Sequence, residues 1–116
     1  MTRQELIEKW GLEDTTNISP PEGWLDVLDT LCEKLSQVPG WSFSYIVTIK
    51  EKFGGLRVYY VIPVGADISV KDDVDPLIEI AESAVVNICE KCGSADQVKK
   101  DLLAGWVHTL CKQHRG

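Results

Sequence analysis

No stretch of this chain approaches the eighteen or so consecutive apolar residues that a membrane-crossing helix needs. The opening residues, MTRQELIEKW, lack the basic and then apolar regions of a secretory signal, which sets the expectation of a cytoplasmic protein. Internal repeats and low-complexity tracts are missing, which excludes solenoids and disordered linkers. Basic residues are outnumbered: 12 Lys and Arg stand against 18 Asp and Glu, a net charge of −6. Only two histidines occur, so little is left for imidazole-based catalysis.

The deficit of positive charge is uneven. Residues 1–88 hold 7 Lys/Arg and 15 Asp/Glu, a balance of −8, whereas residues 89–116 hold 5 and 3, a balance of +2. An acidic body disfavours a phosphate backbone as partner, because such binding rests on Lys and Arg releasing counterions. It suits a basic protein surface better. At 116 residues the chain fits one compact unit, read as an acidic α+β body over 1–88 with a small segment over 89–116 packed on it.

Apolar periodicity places helices at residues 3–10, where Leu6, Ile7 and Trp10 share a face, and from Trp24 to Leu35. Cys32 lies within the stripe of the second helix and reads as a buried core thiol. "WSFSYIVTIKEKFGGLRVYYVIPV" alternates β-branched and aromatic residues about Gly54-Gly55, an antiparallel hairpin with one face against the helices. Phe53 at its tip is expected to pack. Asp75-Pro76 reads as an N-cap and first-turn pair opening a helix to about Ile88. Four tryptophans, at 10, 24, 41 and 106, are expected mainly at the seams between elements.

Three of the four cysteines and both histidines crowd into the last thirty residues. Cys89 and Cys92 are followed, eighteen residues on, by Cys111 and His114: C-x2-C, then C-x2-H. Each matched two-residue gap lets a pair wrap one ion, and four N/S ligands make a closed tetrahedral Zn2+ site of the zinc-ribbon class, one ion per chain. Gly93 after the first pair suits the positive φ of a tight knuckle. His108 competes with His114 as fourth ligand, but on an extended segment it points away from Cys111 and reads as a surface or packing residue. With every ligand position filled, three by thiolates, the zinc is expected to be structural.

Other chemistry is weakly supported. The zinc-deaminase pattern of H-x-E with P-C-x-x-C is absent. Asp67, Asp72, Asp73 and Asp75 lack the ordered spacing of a calcium loop. "EKFGGLR" leads from strand to strand rather than into a helix, which disfavours a phosphate loop. No nucleophile–base set remains once the cluster is committed to metal, so an enzyme is not expected.

"PPEGW", "IKEKFGGLRVYY", "ICEKCG" and "GWVHTLCKQH", in this order, resemble a group of small uncharacterised bacterial and phage proteins across residues 20–114. The resemblance implies the same four zinc ligands and carries no activity. Phage occurrence makes an inhibitor of a bacterial defence system the sharpest expectation it allows.

The expected fold is therefore α+β: N-terminal helices on an antiparallel hairpin, a further helix, and a C-terminal zinc-ribbon-like knuckle. The expected function is a non-catalytic, zinc-stabilised module that binds a protein with a basic surface. Candidate contact residues are Asp72, Asp73 and Asp75 on the body, with Lys52 and Arg57 at the hairpin end. The alternative is a nucleic-acid-associated zinc ribbon using Lys50, Lys52, Arg57, Lys91, Lys99, Lys100, Lys112 and Arg115.

Overall fold

The computed structural model describes residues 1–103 and 105–115; Ala104 and Gly116, both inside the 89–116 segment, lie outside the described residues. Among the described residues the fold is α+β, with three α-helices and two two-stranded antiparallel sheets. Helix α1 (Arg3–Trp10) opens on a capping box between Thr2 and Glu5 and stops at Gly11 in the left-handed region. Helix α2 (Leu25–Leu35) follows a 3-10 turn at Glu22–Trp24 and buries Leu28, Leu31, Cys32 and Leu35. Among the described residues no helix is long and apolar enough to cross a membrane.

Strands β1 (Ile46–Lys52) and β2 (Gly55–Tyr60) pair antiparallel, with a register shift between Ile46 and Thr48. That bulge corrects the strict alternation expected from Phe43 onward. It lets Ile46 and Ile49, three residues apart, both face the core while Val47 is exposed. Phe43–Tyr45 form a 3-10 turn instead of strand, placing Phe43 and Tyr45 around the Trp41 ring. The N-terminal loop adds to the edge of β1: Ile49 N–H donates to the Asn17 carbonyl and Ser19 N–H to that of Ile49.

Helix α3 (Val70–Ala84) starts six residues before the expected Asp75-Pro76 cap and carries Pro76 inside. Val70 and Val74 lie on the stripe of Ile78 and Ala81 and are buried. Burying two valines contributes about 3–6 kcal/mol, against about 3 kcal/mol for an interior proline. The extra turn therefore forms. After α3 a 3-10 turn at Val85–Asn87 leads to Cys89, and strands β3 (Lys99–Leu103) and β4 (Trp106–Leu110) make the second hairpin.

Among the described residues two apolar clusters result. The larger gathers the three helices and β1–β2 around Trp24, which is fully buried and donates its indole N–H to the Ile88 carbonyl at 2.9 Å. The smaller joins Cys89, Leu110 and Cys111, with Val98 packed against them.

Candidate metal centre

The two C-terminal knuckles are built by backbone hydrogen bonds. Cys89 N–H donates to the Ser94 carbonyl and Gly93 N–H to that of Cys89, both at 2.9 Å. Gly93 takes φ 79°, the positive value expected there. His114 and Arg115 N–H groups both donate to the Cys111 carbonyl at 3.1 Å, closing the second turn. Glu90 N–H donates to the Thr109 carbonyl at 2.9 Å, which holds the first knuckle beside β4.

Cys89, Cys92, Cys111 and His114 come together, their ligand atoms all within 4.8 Å of one another, and none of the thiols is in a disulfide. Cys92 Sγ lies 3.7 Å from Cys111 Sγ; His114 Nδ1 lies 3.6 Å from Cys89 Sγ and 3.2 Å from Cys111 Sγ. A tetrahedral ion bonded to sulfur at about 2.3 Å has edges of about 3.5–3.8 Å; the 3.7 and 3.6 Å separations match them, and the 3.2 Å separation is a little shorter. The donor set fits a metal ion.

The electrostatics point the same way. Burial alone pushes the Cys89 thiol up, but the N–H groups of Cys111, Cys92 and Lys91, with the Cys111 thiol, outweigh it and hold Cys89 at about 6. For Cys92 a backbone donation from Ser94 favours the thiolate; burial and the neighbouring Cys111 and Cys89 overcome it and raise the pKa. One thiolate forms readily and resists a second beside it. A bound cation removes that conflict.

The cluster is tied to the larger core through Gly23 of the "PPEGW" loop. Gly23 N–H donates to the Glu90 carbonyl at 2.9 Å, and a Cβ on Gly23 would stand 2.0 Å from the Cys89 carbonyl oxygen. The "EKFGG" turn makes a second tie. Its two turn residues are Phe53 and Gly54, with φ 55° and 76°, rather than Gly54-Gly55. Gly54 is buried against β4, and its carbonyl accepts from the Thr109 hydroxyl at 2.5 Å and from Lys100 Nζ at 3.1 Å. Phe53 is 59% exposed, correcting the expectation that it packs. Trp106 is likewise exposed, whereas Trp10, Trp24 and Trp41 lie in or against the core.

His108 stands apart from the thiols. Its Nδ1 lies 2.8 Å from Glu90 Oε1 and 3.8 Å from Glu51 Oε1. Glu90 Oε1 also accepts from Thr109 N–H at 2.9 Å. Burial raises the Glu90 pKa first, and the Glu51 charge adds to it, against the donations from Thr109 and His108. Nothing in the spacing marked Glu51 or Glu90, since one lies in the first hairpin and the other between two cysteines.

Of the candidate contact residues, Asp72 and Asp73 are exposed in the first turn of α3. Asp75 is also exposed but already has partners: it accepts from the Tyr60 hydroxyl and pairs with Lys71 at 3.9 Å. Lys52 is exposed, with its Nζ 5.6 Å from the centroid of the Phe53 ring. Arg57 is half-buried and bonded to the Leu56 carbonyl at 3.3 Å. The acidic and basic candidates thus sit on different elements and do not form one constellation.

No protein family, curated protein or solved structure matches the chain.

Proposed function

We propose that the four-ligand cluster holds one structural Zn2+ and that the protein is a non-catalytic binding module for a partner with a basic surface, working in the cytoplasm. The observation that carries this is the set of four ligand atoms all within 4.8 Å of one another, joined to the main core by the Gly23 and Gly54 contacts. Three thiolates and an imidazole fill the sphere, leaving the ion a staple for a small fold. On this reading residues 89–116 form a zinc-ribbon-like knuckle. The acidic body supplies the recognition face, with the exposed Asp72 and Asp73 on it. The resemblance to phage proteins supports inhibition of a bacterial defence protein as the sharpest form.

A second reading, association with single-stranded nucleic acid, is favoured by one observation. Exposed Phe53 and Trp106 line one cleft together with Lys52, and aromatic faces beside a cation are what base stacking uses.

Affinity capture from host lysate tests the first reading, with intact protein, a Cys92→Ser/Cys111→Ser variant and Asp72→Lys/Asp73→Lys. A captured protein that is lost with the charge-reversed variant, and associates more slowly as salt rises, supports it. Retention on DNA at low salt with no protein captured overturns it in favour of the second.

A further inference from the structure

Three segments far apart in sequence bring Glu51 of β1, Glu90 of the first knuckle and His108 of β4 together, with one ligand atom from each within 4.8 Å of the others. Their side chains are 21%, 8% and 24% exposed. Among the described residues no lysine or arginine forms an ion pair with either carboxylate. Two largely buried carboxylates facing a single imidazole leave negative charge that burial makes costly.

We propose that Glu51, Glu90 and His108 form a second cation site, separate from the thiolate cluster, that takes a divalent first-row transition ion. An imidazole with two carboxylates is a donor set for such ions, and bonds of about 2.0–2.2 Å allow two ligands of one ion to lie up to about 4.2 Å apart. The His108–Glu90 and His108–Glu51 separations of 2.8 and 3.8 Å fall inside that limit. Thr109 N–H on Glu90 Oε1 and Gly54 N–H on Glu51 Oε2, at 2.9 and 2.8 Å, orient the two carboxylates as outer-shell donors do in metal sites.

Three protein ligands leave coordination positions for water or an incoming oxygen donor. Glu51 and His108 both line a cleft of about 270 Å3, whose other walls include Phe53 and Trp106. Phe53 holds φ 55° in this turn with its side chain 59% exposed, so little burial offsets the strained backbone. The thiolate cluster is closed; this second site is open and faces a walled space.

The test uses full-length protein already loaded with one Zn2+ at the thiolate cluster, titrated with Co2+ by calorimetry and visible absorption. The expected result is one further equivalent of Co2+ with weak d–d bands and no thiolate-to-cobalt charge transfer. Glu51→Gln and His108→Ala each abolish that equivalent while the bound Zn2+ stays at one per chain. Glu51→Gln leaves the His108–Glu90 contact in place, so it remains decisive if His108→Ala loosens the hairpin. Absence of a second equivalent, its survival in Glu51→Gln, or the appearance of charge-transfer bands overturns the proposal.

Discussion

The Gly23 N–H donates to the Glu90 carbonyl at 2.9 Å, while the Gly23 α-carbon presses on the Cys89–Gly93 backbone closely enough that no side chain fits between. The loop before α2 and the first knuckle therefore meet backbone to backbone. Gly23→Ala places a methyl against the Cys89 carbonyl and Gly93 nitrogen, neither of which can rotate away. A loss of about 3 kcal/mol is expected in chemical denaturation. A change below about 1 kcal/mol would show that the two segments separate easily.

His114→Ala is expected to weaken metal binding and lower the melting temperature, because His114 Nδ1 stands 3.2 Å from Cys111 Sγ. His108→Ala, whose imidazole faces Glu90 instead, should leave the thiolate-cluster metal in place. Co2+ substituted into the thiolate cluster reads the difference through its charge-transfer bands. Equal losses in the two variants would contradict the assignment of His114.

Cys32 is 1% exposed on α2, and burial, then the nearby Asp29 charge, push its thiol up to about 12 against a local pull from Lys9. A folded pKa raised above the unfolded value of 9.0 means the stabilisation is complete below pH 9 and is lost as pH climbs toward 12. Alkaline destabilisation should be shallower in Cys32→Ala, by up to about 1.4 kcal/mol per pH unit above pH 9. In native protein at pH 7.5 an alkylating reagent should leave Cys32 unmodified, and zinc content should be the same in Cys32→Ser.

Phe53 occupies the first turn position of β1–β2 with φ 55°, where Asn or Gly is at ease. Its ring is mostly exposed, so removing it forfeits little burial. Phe53→Asn should raise stability by about 1 kcal/mol, within the usual cost of the left-handed region. A loss of stability on thermal unfolding would mean that the ring packs more firmly than its exposure indicates.

The helical stripes of α1 and α2, the hairpin and the paired Cys/His spacings were all legible in the chain, because each is a local pattern of period 3.6, 2 or a two-residue gap. Only the folded chain decided the rest. The bulge that turns Ile46 and Ile49 inward together, and the start of α3 ahead of Pro76, each exchange a local preference for burial in a core that local reading does not contain. The Glu51–Glu90–His108 cluster joins residues up to 57 positions apart, counted from 51 to 108, and exists because Gly54 and Thr109 dock one hairpin on the other. Periodicity and spacing report what a segment does with its neighbours in sequence; long-range contacts bring together side chains that carry no shared signal until the backbone has closed around them.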